Sequence, residues 1–190
     1  MRAAANQKIQ EGDLLRLFIS INFDDETRGR ILAVQNRLRS VARGNFSREE
    51  NLHLTLAFLG EVEPRRAPAV CRAMEEVPMS RLLLRFEKVG AFRRTGGDIW
   101  WIGLEKSPAL LELQNNLTES LAAAGFLTEE RGFVPHITLA RQASVQEKPD
   151  RDAILGEPFS TEADAMCLML SERVQGRLCY RELFCRKAGE

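Results

Sequence analysis

Asn51-Leu52-His53-Leu54-Thr55-Leu56 decides how this chain is read, and the pattern returns as Val134-Pro135-His136-Ile137-Thr138-Leu139. Polar and aliphatic residues alternate in both, as in a strand that buries one face. His and Thr share the polar face and the aliphatic residues share the other. Each copy therefore presents an imidazole and a hydroxyl together from a rigid element. The chain has two histidines, and each opens one of these tetrapeptides.

Working outward, the two copies lie in matching surroundings. Leu14 to Phe23 is apolar and β-prone, and reads as a buried strand. Asp24-Asp25-Glu26 opens a helix to about Arg43, with acids at its start, arginines near its end and an apolar stripe of Ile31, Val34, Leu38 and Val41. The first His-x-Thr strand follows, from Leu52 to Phe58, ending at Gly60. Pro64 suits the start of a second helix with Ala67, Val70, Cys71 and Met74 on one face. Leu82 to Phe92 and Asp98 to Leu104 read as strands joined by an Arg93–Gly97 turn. Ser107-Pro108 caps a helix carrying Leu110, Leu113, Leu117 and Leu121 inward and ending at Gly125. The second His-x-Thr strand spans Phe133 to Ala140, Ala143 to Glu157 reads as a loop, and Ala165–Leu170 with Leu178–Cys185 reads as a hairpin around Val174-Gln175-Gly176.

Strand, helix and His-x-Thr strand thus occur twice. Phe18 precedes His53, and Trp101 precedes His136, by the same 35 residues. That spacing predicts two related lobes, each contributing one motif strand to a shared cleft about a pseudo-twofold axis.

Composition narrows the function. At 190 residues, with 44% hydrophobic content, the chain can bury a proper core. Lys plus Arg and Asp plus Glu both number 27, a balance that argues against a coat for long nucleic acid but permits binding of a nucleic-acid end. No apolar run is long enough to span a membrane. Residues 1–13 carry no apolar core of a secretion signal and read as a flexible tail preceding a single bilobal domain over 14–190, with a cytoplasmic location and a monomeric state expected. Cys71, Cys167, Cys179 and Cys185 contain no Cys-x-x-Cys pair and read as buried free thiols.

A lone strand histidine is more often structural than catalytic. Two in one repeated motif point instead to acid–base chemistry, because an imidazole with a pKa near 6.5 exchanges protons readily near neutrality. One neutral histidine takes a proton from attacking water while the other, protonated, gives one to the leaving oxygen. The threonines, two residues along, suit a tetrahedral phosphate better than a planar carbonyl. A strained cyclic phosphodiester needs little else, so no metal and no cofactor are expected. Zinc is poorly served by two histidines 83 residues apart with no neighbouring Cys ligand, and no Gly-x-Ser-x-Gly elbow supports a serine hydrolase.

NLHLTLAFLG at 51–60 and FVPHITLAR at 133–141 resemble the paired HxTx motifs of the 2H phosphoesterase superfamily. RLFISINF, DIWWIGLE and the closing run from Ser171 through Gly176-Arg177 to Tyr180-Arg181 bring the resemblance closer to the RNA 2′,3′-cyclic phosphodiesterases of the 2′-5′ RNA ligase family. That resemblance implies a bilobal α+β fold, with antiparallel sheets lining a central cleft and helices outside. It implies opening of an RNA 2′,3′-cyclic phosphate to a 2′-phosphomonoester, on RNA ends or small cyclic nucleotides. His53 matches the proton donor to the leaving 3′ oxygen, His136 the base that activates water, and Thr55 and Thr138 the phosphate-binding threonines. Arg141 matches an arginine that contacts phosphate, although simple alternation from His136 puts it on the opposite face unless the strand bends. Val134 departs from relatives that carry a histidine there. Phe58 is a candidate for the cleft wall or for core packing; of Trp100 and Trp101, one should pack inside and the other could stack on a base. Arg93 and Arg94 are candidates for RNA phosphates or for a solvated turn. Ligation to a 5′-hydroxyl RNA, the reverse chemistry, and a non-catalytic RNA-end binding module are the competing functions.

Overall fold

A computed structural model describes residues 14–128, 132–145, 147 and 149–189. The expected tail over 1–13 lies outside the described residues. Nine strands and four α-helices follow in the order β1 (Leu15–Asn22), α1 (Asp25–Val41), β2 (Ala42–Phe46), β3 (His53–Val62), α2 (Ala67–Glu75), β4 (Leu82–Phe92), β5 (Asp98–Leu104), α3 (Pro108–Ala123), β6 (His136–Val145), α4 (Arg151–Leu155), β7 (Phe159–Ala163), β8 (Ala165–Val174) and β9 (Arg177–Lys187) among the described residues. Short 3-10 turns at Glu49–Asn51 and Pro64–Arg66 precede β3 and α2.

The strands form two antiparallel sheets, ordered β3-β1-β8-β9 and β2-β6-β5-β4-β7. Without β2, the second order becomes β6-β5-β4-β7, which corresponds strand for strand to the first. The expected repeat is therefore present, each motif strand lying beside the strand that opens its own repeat. The equal 35-residue spacing does not carry into register, however. His53 faces Asn22 and Phe18 faces Phe58, whereas His136 faces Gly103 and Trp101 faces Thr138.

Each helix is explained locally. Asp24 caps α1 by accepting from the Thr27 amide at 2.7 Å, and Ser107 caps α3 by accepting from that of Leu110. Leu110, Leu113, Leu117 and Leu121 are all buried, as their spacing predicts. Gly125, at φ 78°, ends that helix, and the Phe126 amide donates back to the Leu121 carbonyl at 2.9 Å.

The helices cross over between repeats. α1, from the first, packs against α4, β2 and β6; α3, from the second, packs against α2 and β3. Gln35 of α1 donates to the Leu139 carbonyl in β6 at 2.9 Å, and Gln114 of α3 donates to the Leu56 carbonyl in β3 at 3.5 Å. Each motif strand is thus braced by the helix that leads into the other one.

Three expectations change. The first helix stops at Val41, which is exposed, and 42–46 pairs as an edge strand with β6, because a sheet partner outweighs weak helix propensity. The region read as a loop contains the end of β6 and α4, capped by Asp150. Cys167 and Cys185, directly opposite on β8 and β9, are joined by a disulfide, so free thiols remain only at Cys71 and Cys179.

Candidate active site

Both motif strands depart from strict alternation at the same place. Ile19 faces Ala57 and Ser20 faces Thr55, so Leu56 is an extra residue in β3; Trp100 faces Ala140 and Trp101 faces Thr138, so Leu139 is extra in β6. Such β-bulges reverse the facing of everything beyond them. Leu56 and Ala57 are both buried, as are Leu139 and Ala140. The residues five beyond each histidine, Phe58 and Arg141, consequently return to the imidazole face. This is the bend that Arg141 requires, and it makes Phe58 and Arg141 equivalent positions in the repeat. Leu-Ala directly after His-x-Thr, two apolar residues where alternation allows one, is the sequence trace shared by both copies.

His53, Thr55, Phe58, His136, Thr138 and Arg141 line one cleft of about 780 Å³. A second arm of about 580 Å³ shares Thr55, Phe58, His136, Thr138 and Arg141, and continues between Phe92, Val134 and Gln114. The six predicted residues therefore meet where the two arms join.

The imidazoles are oriented alike. His53 Nδ1 lies 2.8 Å from the Asn51 carbonyl and His136 Nδ1 lies 2.7 Å from that of Val134. A carbonyl only accepts, so Nδ1 carries a proton in each ring and Nε2 is left as the acid–base atom. His53 Nε2 lies 3.0 Å from Thr55 Oγ1. Aromatic rings brace both histidines: Tyr180 meets His53, and Phe92 meets His136, each at 5.1 Å and 87°. Phe18 lies 4.8 Å from His53 and Trp101 6.2 Å from His136.

Electrostatics separates His53 from an ordinary surface histidine. Burial lowers the His53 pKa to about 4; the bond to the Asn51 carbonyl opposes this, while the positive charges of Arg141 and His136 add to it. Burial also raises the Tyr180 phenol, against the pull of Arg141 and Arg16. The cleft is thus electropositive around Arg141, as an anion site must be.

The remaining candidates divide. Trp100 is buried and Trp101 lies on the His136 face, its ring filling the space a side chain at Gly90 would need. Trp101 supports His136 beside Phe92. Arg93 is ion-paired with Asp98, whereas Arg94 lines the second arm. The sequence reading missed Phe92 and Tyr180 as braces, although Tyr180 is the chain's only tyrosine. It also missed Ser47, whose hydroxyl donates to the Thr138 carbonyl at 2.7 Å and pins the second motif. Among the described residues, the side chains grouped closely enough to ligate a metal are Cys167, Glu182 and Cys185, and the disulfide takes both sulfurs. No described helix is long and apolar enough to cross a membrane.

Comparison with known proteins identifies the family. A family model described as the 2′-5′ RNA ligase superfamily matches residues 23–175. The chain is 31% identical over 150 residues to an RNA 2′,3′-cyclic phosphodiesterase of Archaeoglobus fulgidus, covering 78% of this chain and 83% of that one. It is 33% identical over 143 residues to the protein of the same name from Thermotoga maritima, covering 72% and 73%. Among solved structures, Escherichia coli LigT complexed with 3′-AMP superposes with a TM-score of 0.78 at 28% identity, over 94% of this chain and 100% of that one.

Proposed function

Because the chain belongs to the 2′-5′ RNA ligase superfamily, among its RNA 2′,3′-cyclic phosphodiesterases, we propose that it hydrolyses RNA 2′,3′-cyclic phosphate ends to 2′-phosphomonoesters, with His53 and His136 as the acid–base pair. The observation that carries this reading is the pair of imidazoles lining one cleft, each with Nδ1 held by a carbonyl and Nε2 left for proton transfer.

In the proposed reaction, His136 Nε2 takes a proton from water as the water oxygen bonds to phosphorus. The P–O3′ bond breaks in line with that attack, and the departing 3′ oxygen takes a proton from His53 Nε2. Thr55, Thr138 and Arg141 hold the non-bridging oxygens, where charge collects in the transition state. The cleft lining supports these roles: of the two arms, His53 lines the larger, whereas His136 lines both, so water can approach along the second arm.

His53 must be protonated to act as the acid, yet burial holds its pKa at about 4 in the protein alone. The anionic phosphodiester resolves this. Its charge offsets Arg141 and favours the imidazolium, so substrate binding itself raises the His53 pKa.

A substrate whose leaving 3′ oxygen is replaced by sulfur tests the assignment, since a thiolate departs without a proton. With EDTA present, His53→Ala should lose about 10²–10⁴ in rate on the oxygen substrate and recover most of it on the sulfur one. His136→Ala should fall on both. Rescue of His136→Ala instead would reverse the roles, and loss of wild-type turnover to the chelator would sink the metal-free mechanism.

A further inference from the structure

We propose that the cleft arm reached by His53 holds an internal phosphodiester of the RNA, upstream of the cyclic end, between Arg48 and Arg173, and that oligoribonucleotides are therefore preferred over cyclic mononucleotides. The inference rests on the reaction proposed above and assigns a second phosphate site outside the motifs.

Direction comes first. The leaving 3′ oxygen belongs to the terminal ribose and must lie beside the acid. Of the two arms His53 lines only the larger, and the cavity of about 250 Å³ on its other side is too small for a nucleoside chain, so the terminal nucleoside and everything 5′ of it extend into that arm. At about 780 Å³ it is in the upper part of the roughly 300–1,000 Å³ range of small-ligand sites, which leaves room beyond one nucleotide.

Charge comes second. The chain is neutral overall, yet this arm gathers Arg16, Arg48, Arg141 and Arg173. Its one lining carboxylate, Glu172, is 3.3 Å from Arg181 and so already partnered. Arg141 is at the reaction centre and Arg16 is stacked over Phe58 at 4.9 Å. Arg48 and Arg173 are the remaining arginines of this lining. Arg48 has only a 3.6 Å contact with Glu50, both side chains about half exposed, which solvent largely screens. Arg173 gives one bond, 3.1 Å long, to the Gly176 carbonyl, leaving further donors of its guanidinium for an anion.

The two arginines come from different segments, one following β2 and one near the β8–β9 turn. Asn51 ties those segments together by donating to the Leu178 carbonyl at 3.1 Å. The same Asn51 holds His53 through its own carbonyl, so these segments and the acid share one anchor. The second arm carries fewer arginines, Arg94 and the shared Arg141, beside Phe92, Ile99, Phe133 and Val134.

The test compares adenosine 2′,3′-cyclic phosphate with adenylyl-adenosine 2′,3′-cyclic phosphate, using the wild type and an Arg48→Ala/Arg173→Ala variant. Wild-type kcat/KM should favour the dinucleotide by about tenfold, as one charged phosphate contact allows. The variant should lose most of that preference through KM, and its dinucleotide salt slope should fall by about 0.7. A dinucleotide whose internal linkage is an uncharged methylphosphonate should lose the preference in the wild type and show no further loss in the variant. Equal wild-type rates on the two natural substrates, or a variant that keeps the preference, would overturn the site. If the wild type turns over neither substrate, the reading beneath fails instead. Fluorescence anisotropy with a labelled dinucleotide 3′-phosphate then decides the site alone: weaker binding by the variant supports it and equal binding overturns it.

Discussion

The two motif strands share a sequence pattern, a bulge and a brace, yet they hold their side chains differently. β6 is an interior strand, with β5 on one side and β2 on the other, and Ser47 and Gln35 reach it from the outside. β3 is at the edge of its sheet, and its brace from Gln114 is a single bond at the limit of hydrogen-bonding distance. The equivalent side chains differ in kind as well: Phe58 beyond His53, Arg141 beyond His136. The second repeat therefore supplies charge and rigidity, and the first supplies the half-buried imidazole that this charge acts upon. Symmetry built the cleft, and departures from symmetry give the two histidines separate tasks.

The comparison breaks most visibly at its charged position. Arg141→Gln should reduce kcat/KM by about 10²-fold, because a donor aimed at developing phosphate charge is lost. Phe58→Ala should cost less than tenfold. Equal losses in a steady-state assay would mean that the two positions do not divide as their chemistry suggests.

The pH dependence sharpens it next. Arg141 is one cause of the low His53 pKa, so removing its charge must raise that pKa. His53 must be protonated to act, so the limb of kcat/KM on which rising pH removes its proton, centred near pH 4 for the wild type, should move upward in Arg141→Gln. The same limb of kcat, on which rising pH removes the His53 proton, should lie above that of kcat/KM in the wild type, since bound phosphate favours the imidazolium. Coincident limbs in the two profiles would remove substrate-induced protonation from the mechanism.

The smallest effects concern the braces. Gln35 is 2% exposed and bonds two carbonyls, those of Leu139 and Ser47. Gln35→Leu should cost about 2 kcal/mol and lower Tm by roughly 4–8 °C. Gln114→Leu, losing one long bond at a partly exposed site, should cost about 0.5 kcal/mol. Thermal denaturation of the two variants measures the difference, and a reversed order would contradict the unequal support inferred for β3 and β6.

Much of this was legible in the sequence because the signals are local. Alternation gave the motif strands their faces, leucine spacing gave α3 its buried side, and Gly125 marked its end. Arg141 shows where local reading stops. Its face depends on a bulge, and a bulge is fixed by register against β5 and β2, which no short window contains. β2 and β7 were missed because they are short, polar-rich strands whose stability comes from their partners. The Cys167–Cys185 bond was missed for the same reason: both lie in strand-like segments, and only the register of β8 against β9 places them opposite each other. The braces on the histidines are equally non-local, Tyr180 reaching His53 from near the other end of the chain.

The sheet order has a consequence in time as well as in space. β1 is hydrogen-bonded to β8, so the sheet that carries His53 lacks its third and fourth strands until residues 165–187 have joined the chain. Contacts of such sequence separation form late and slowly. During synthesis the first histidine emerges early but acquires its aromatic brace only when Tyr180 arrives. The surroundings of the proposed acid are therefore completed only when the β8–β9 hairpin has docked on β1.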